Sequence, residues 1–208
     1  MRARLLQSAL QLIANNGLAG MSVDEVIRAA CVSRGTFYNY FPSPEALVRE
    51  LAAGIADQLA RTVEPAVRGY KDPVLAVARG IRLASRLALH YPAVAGFLVR
   101  VGWSGEQGTR MLEFVRDDIE EGFRQGLFRR MPIIIALNIV VGAVLGSIQR
   151  MLESDSREDC SEQAAATALR ALGVDAATAD EIAATRPDVD EDVFVGALAA
   201  TLDIPEGD

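Results

Sequence analysis

Leu5, Leu6, Ala9, Leu12 and Ile13 recur at three- and four-residue spacing and predict a first helix over residues 2–16, closed by Gly17. Ser22-Val23-Asp24-Glu25 carries the capping-box order, Ser with Glu three residues on, and starts a second helix that buries Val23, Val26, Ile27 and Ala30. Ser33 caps a third, short helix over Arg34–Tyr40. Pro42 and Pro44 part it from a fourth, which begins near Glu45 and runs through Leu47, Leu51, Ile55 and Leu59 to about residue 63, where Pro65 should stop or kink it. Pro73, Pro92 and Pro132 each stand at a helix start. They open helices reaching about His90, about Trp103 and about Glu153. Between the last two, residues 102–108 read as a loop. A helix then starts at Glu106 or Thr109 and runs to Phe128, with Leu112, Val115, Ile119, Phe123 and Leu127 on one face. A polar linker over 154–161 precedes Ala-rich helices at about 162–172 and 176–185 and a last one at about 190–202. The expected fold is all-α: an N-terminal three-helix helix-turn-helix domain over 1–48 and a larger helical domain over 49–208.

Composition agrees with a packed core, since half of the 208 residues are apolar. The two cysteines, Cys31 and Cys160, are far apart and lack metal-ligand spacing, which fits a reducing cytoplasm. The N-terminus lacks the apolar core and cleavage site of a signal peptide. Charge is unevenly spread: residues 1–50 hold five basic and four acidic side chains, the remainder 16 and 24. An acidic body repels nucleic acid, so a DNA contact must come from the near-neutral front end.

The chemistry concentrates at residues 22–41. A capped helix, a tight turn and a second short helix make a helix-turn-helix, whose second helix can enter a major groove. Phe37 and Phe41, four apart, share its inward face. Arg34, Thr36, Tyr38, Asn39 and Tyr40 are left mostly outward.

This segment resembles the tetracycline-repressor (TetR) family. That family's Thr-led second helix, Ala-Gly-Val-Ser turn, Gly-Thr-hydrophobic-Tyr-x-Tyr-Phe recognition helix and Lys-Glu-x-Leu correspond here to Ser22, then Ala30-Cys31-Val32-Ser33. Gly35-Thr36-Phe37-Tyr38-Asn39-Tyr40-Phe41 and Pro44-Glu45-Ala46-Leu47 complete the correspondence. Residues 1–50 carry the resemblance; the remainder shares only the layout, including Gly126-Leu127-Phe128-Arg129 ahead of a long apolar helix. The resemblance implies a dimeric repressor that places two recognition helices in successive major grooves of operator DNA and is released by a small-molecule inducer. It makes Arg34 and Asn39 candidates for reading base edges, and Thr36, Tyr38 and Tyr40 candidates for phosphate or thymine-methyl contacts. Ser33 caps the helix near the DNA backbone. The plainer readings are half-buried packing for Tyr38 and Tyr40 and a solvated surface charge for Arg34. Three departures stand out. Cys31 replaces a turn Gly, where positive φ is costly for a side-chain-bearing residue. Pro44 replaces a Lys suited to phosphate. The basic arm is reduced to Arg2 and Arg4.

Elsewhere the chemistry is sparse. His90, the only histidine, continues Arg79, Arg82 and Arg86 at helical spacing and reads as a solvated stripe, with an anionic-ligand role as the alternative. No triad or cofactor signature presents itself, so an enzyme is not expected. Asp117, Asp118, Glu120 and Glu121 read as a solvated face rather than a metal site.

Residues 133–148 are an apolar run shorter than the ~20 residues a spanning helix needs, interrupted by Asn138, and no membrane role is expected. Gly142 and Gly146 permit close helix approach. Asn138, Gly142, Leu145, Gly146 and Gln149 are therefore candidates for a homodimer contact, assisted by part of 162–185; a core helix within one subunit is the alternative. An apolar or amphipathic ligand is expected among residues 73–128, with Phe97, Met111, Phe114 and Val115 as wall and Arg100, Trp103 and Gln107 as polar groups. Plain core packing is the competing account of those side chains. For the whole chain, the competing function is a DNA-architectural or protein-interaction module without a sensor.

Overall fold

The computed structural model describes residues 1–16, 21–67, 72–101, 110–153 and 160–185. Among these, every regular element is a helix: α1 (Arg2–Asn16), α2 (Val23–Ala29), α3 (Arg34–Tyr40), α4 (Pro44–Val67) and α5 (Pro73–His90). Then come α6 (Pro92–Val101), α7 (Arg110–Gln125), α8 (Ile133–Glu153), α9 (Ser161–Ala171) and α10 (Ala176–Ala184). Gly17, the loop over 102–108, the start of the 154–161 linker and the helix expected at 190–202 lie outside the described residues.

The apolar spacing of α1 puts Leu5, Ala9 and Ile13 in the core with Val26 of α2, Phe37 of α3 and Leu47 of α4. α4 crosses the expected 48/49 boundary without interruption and packs on α5, α6 and α7, while α1 packs on α6. Pro65 does not stop α4, which continues to Val67. So close to the helix end, a proline removes only one of the last backbone bonds.

In the larger domain α5 is central, packed on α6, α7, α8 and α9. Between α5 and α8 the buried hydroxyls of Ser85 and Ser147 lie 2.7 Å apart. The expected solvated stripe on α5 divides instead. His90 is exposed and Arg86 half-buried, but Arg79 and Arg82 are buried. Arg82 Nη1 donates to the carbonyls of Ala183 at 2.8 Å and Thr185 at 2.5 Å, satisfying acceptors that the end of α10 leaves over. That contact between distant segments is why periodicity alone misplaced the side chain.

α7 ends earlier than expected, at Gln125. Gly126 adopts a left-handed φ of 72°, and the Leu127 N–H donates to the Gly122 carbonyl at 2.9 Å, a Schellman closure. This turn breaks the helical phase. Leu127, expected on the buried face, is exposed, and Phe128 folds into the core in its place. The backbone then pins itself to the far side of the domain, where the Arg129 N–H donates to the Leu172 carbonyl at 2.7 Å.

α8 is long and apolar enough to cross a membrane by length and composition. One face of it, with Ala136, Leu137, Val140, Val144, Ile148 and Met151, packs into the bundle core. Its outer face carries Ile134 and Ile135, both exposed.

Candidate DNA-binding surface

Both helix starts of the helix-turn-helix are capped as the sequence suggests. The Ser22 hydroxyl accepts from the Glu25 N–H at 3.2 Å, and the Glu25 carboxylate accepts from the Ser22 N–H at 2.8 Å. The Ser22 hydroxyl also donates to that carboxylate at 2.8 Å, and this bond, then the one from the backbone N–H, holds the Glu25 carboxyl below its ordinary range. Ser33 accepts from the Thr36 N–H at 3.1 Å and so fixes the start of α3.

Between these helices the chain turns through Cys31, the sole non-glycine residue with positive φ among the described residues, at 50°. The expected departure from turn glycine is therefore real in the backbone. The turn closes with the Cys31 N–H donating to Arg28 O and the Val32 N–H to Ile27 O.

α3 is anchored by Phe37 and Phe41, both essentially inaccessible, with ring centroids 5.9 Å apart. Arg34, Tyr38, Asn39 and Tyr40 are exposed, and Gly35 keeps the outer surface low. Tyr38 sets its ring edge-on to Phe37 at 5.2 Å while leaving 46% of itself exposed, so half-buried packing does not account for the whole side chain. Tyr40 is 42% exposed. Thr36 is half-buried, its hydroxyl 2.9 Å from that of Ser33. It faces outward less than its neighbours because it belongs to the cap.

Two arginines have partners that the sequence reading did not assign. Arg34 forms an ion pair with Asp24 of α2 at 3.1 Å. Arg2 pairs with Glu50 of α4 and lies over the Phe41 ring, 5.4 Å from its centroid. The residual basic arm is thus partly committed to holding α1 against the end of α3 and α4. Neither contact has a short-range pattern by which the sequence could have signalled it.

The other candidates fall in the larger domain. On α8, Asn138, Gly142, Gly146 and Gln149 are exposed and Leu145 half-buried, all on the outer side of the helix. Among the ligand candidates, Phe97 is fully buried, Phe114 and Val115 are half-buried, and Arg100 is exposed at the end of α6. Trp103 and Gln107 lie outside the described residues, as does the side chain of Met111.

Comparison with known proteins matches residues 5–51 to the model for bacterial regulatory proteins of the tetR family. Residues 72–186 match that for the tetracyclin repressor-like C-terminal domain. The HTH-type transcriptional regulator EthR of Mycolicibacterium smegmatis is 34% identical over 94 residues, covering 45% of this chain and 43% of that protein. The chain thus spans less than half the length of this relative. The HTH-type transcriptional repressor DhaR of Mycobacterium sp. (strain GP1) is 25% identical over 158 residues, 76% of this chain and 75% of DhaR. Among solved structures, RolR without ligand superposes with a TM-score of 0.79 at 29% identity, covering 91% of this chain and 99% of RolR. RolR in complex with resorcinol gives 0.74 at 27% identity, covering 90% and 95%. The front-end motif, the helical body and both family models agree: the chain belongs to the tetracycline-repressor family of bacterial helix-turn-helix transcriptional regulators.

Proposed function

We propose that this protein is a cytoplasmic repressor that binds double-stranded operator DNA as a homodimer and leaves it when a small amphipathic ligand binds. Residues 1–48 serve as the DNA-binding domain and 49–208 as the regulatory and dimerising one. The observation that carries the reading is the outer face of α3. Arg34, Tyr38, Asn39 and Tyr40 stand exposed on a helix locked by Phe37, Phe41 and the Ser33 cap. A rigid, polar-aromatic helix face suits a major groove, where Arg reads guanine and Asn reads adenine.

The outer side of α8, with Asn138, Gly142, Leu145, Gly146 and Gln149, is the proposed two-fold contact. The proposed ligand is a small molecule with an apolar body and hydroxyl groups, of the kind exemplified by the resorcinol bound to RolR. Phe97, Arg100, Trp103, Gln107, Met111, Phe114 and Val115 are its proposed contacts. Such a ligand weakens DNA binding only by favouring one spacing of the recognition helices over another.

The test is a gel shift on a duplex selected by the protein from a randomised pool. Tyr38→Ala and Asn39→Ala should each weaken binding, by ~1–3 kcal/mol where a bidentate base contact is lost, with circular dichroism unchanged. Unchanged affinity in both variants overturns the assignment of α3. Thermal-shift measurements with resorcinol and other small phenols test the sensor; a DNA-binding module without one would show no shift and no release.

A further inference from the structure

We infer that Asp24 is a specificity-setting residue: its carboxylate stays paired with Arg34, directing the remaining guanidinium donors to a guanine edge and keeping the group from DNA phosphates. The inference rests on the DNA-reading role of α3 proposed above.

Arg34 is the first residue of α3 and Asp24 lies in the first turn of α2, ten residues earlier. Their side chains meet at 3.1 Å, and each keeps 61% of its surface exposed. The pair therefore lies at the solvent side of the helix-turn-helix. Tyr38, one turn beyond Arg34, shares the same side of α3.

An exposed pair of this kind contributes little to folding. Its coupling amounts to a factor of about five at most, and salt screens it. What it does control is the availability of one guanidinium. The Arg donors match a carboxylate, a phosphate and the O6/N7 edge of guanine with the same planar fork.

With Asp24 in place, leaving for a single phosphate exchanges one anion for another and gains little. Guanine can be read by the donors that the single contact with Asp24 leaves free, so the pair is kept and the bidentate contact adds discrimination of about 5- to 150-fold. The carboxylate also stands near the approaching backbone and repels it at every sequence alike. Asp24 thus lowers non-specific binding more than specific binding. The front end of the chain is only slightly basic, so one compensated arginine is a substantial part of its electrostatic attraction.

The experiment compares full-length wild type with Asp24→Asn, Asp24→Glu and Arg34→Ala, and with the Asp24→Asn/Arg34→Ala double variant. Each is titrated against the duplex enriched by wild type from a random pool and against a shuffled duplex. Asp24→Asn should tighten binding to shuffled DNA about 3- to 10-fold and to the enriched duplex less, so that their ratio falls. The slope of log affinity against log salt should steepen by about one. Asp24→Glu, which can still reach Arg34, should restore the wild-type ratio. In the Arg34→Ala background, removing the carboxylate should leave the ratio unchanged. Asp24→Asn gives up only a favourable place in the first turn of α2, so melting temperatures should fall by a few degrees at most and by the same amount with or without Arg34, which separates this role from a structural one. An unchanged ratio in Asp24→Asn overturns the inference while leaving the DNA-reading role intact. So does an equal fall in the ratio with or without Arg34. Failure of wild type to enrich any sequence overturns the role of α3 and this inference with it.

Discussion

Gly122 in the last turn of α7 lies directly under the ring of Phe128, six residues on. A Cβ built at Gly122 would sit 2.0 Å from Phe128 Cδ2 and 2.4 Å from Cε2. Phe128 is only 2% exposed, so the ring has no open side to which it could retreat. Gly122→Ala must therefore displace the Phe128 ring or open the Schellman turn that brings it there. Overpacking of this kind costs about 1–3 kcal/mol, although alanine is the better helix former. Chemical denaturation should show a lower midpoint for Gly122→Ala. A Gly122→Ala/Phe128→Leu pair should recover part of the loss. An unchanged midpoint would mean that the ring can vacate the space freely.

Cys31 supplies a second test of local strain. Its φ of 50° places a side-chain-bearing residue in the left-handed region, at a cost of roughly 1–2 kcal/mol. Glycine removes that cost but gains freedom in the unfolded chain, which offsets roughly 0.5–1 kcal/mol. Cys31 is exposed, so replacing it loses little burial. Cys31→Gly should therefore stabilise the protein by a few tenths to about 1 kcal/mol, a rise of up to ~4 °C in Tm. Cys31→Val, β-branched, should lower Tm. A lower Tm for Cys31→Gly would show that the thiol makes a compensating contact.

The helix-turn-helix was legible because its determinants are local. Caps, a Phe37/Phe41 pair and proline-marked starts all act within a few residues, and α2, α3 and α5 lie where those signals put them. What escaped the sequence was set by partners far along the chain. Arg82 is buried because α10, about a hundred residues on, presents carbonyl acceptors to it. Leu127 and Phe128 exchange roles because a left-handed glycine resets the phase of the face. Asp24 and Arg34 are ten residues apart across a turn, a separation that no helical period marks.

The outer face of α8 separates a dimer contact from an ordinary exposed surface. A Cβ at Gly142 or at Gly146 would meet no atom within 4 Å inside the subunit. Leucine at Gly142 thus has no steric conflict with its own chain, and any effect on assembly must arise from a second copy. Wild type should sediment as a dimer at micromolar concentration, and Gly142→Leu as a monomer or a much weaker dimer. The variant should still show helical circular dichroism, and its Tm should fall mainly through lost mass action from the partner. A monomeric wild type would refute the contact, as would a Gly142→Leu dimer of undiminished affinity.

The capping box of α2 gives the protein a defined response to acid. Glu25 accepts from the Ser22 hydroxyl and backbone N–H, and these bonds lower its pKa from 4.5, the hydroxyl contributing more than the backbone. A carboxyl whose folded pKa is depressed contributes stability that is complete above its unfolded pKa. That contribution is lost as pH falls through the folded value. The ionised form also favours the positive end of the helix dipole in the first turn. Glu25→Gln keeps an acceptor for Ser22 but carries no charge and does not titrate in this range. It should be less stable than wild type at neutral pH. The difference should begin to shrink as pH falls past the ordinary value of 4.5 and keep shrinking until pH has passed the lowered folded value, below which wild type is itself neutral at this position. Asp175, which caps α10 by accepting from the Thr178 N–H and is likewise lowered mainly by Thr178, adds to the acid sensitivity of both proteins equally. It therefore cancels from the comparison. Urea midpoints measured for the two proteins between about pH 3 and pH 7 give the result directly. A gap that stays constant across that range would show that Glu25 acts through its shape and hydrogen bonds rather than through its charge.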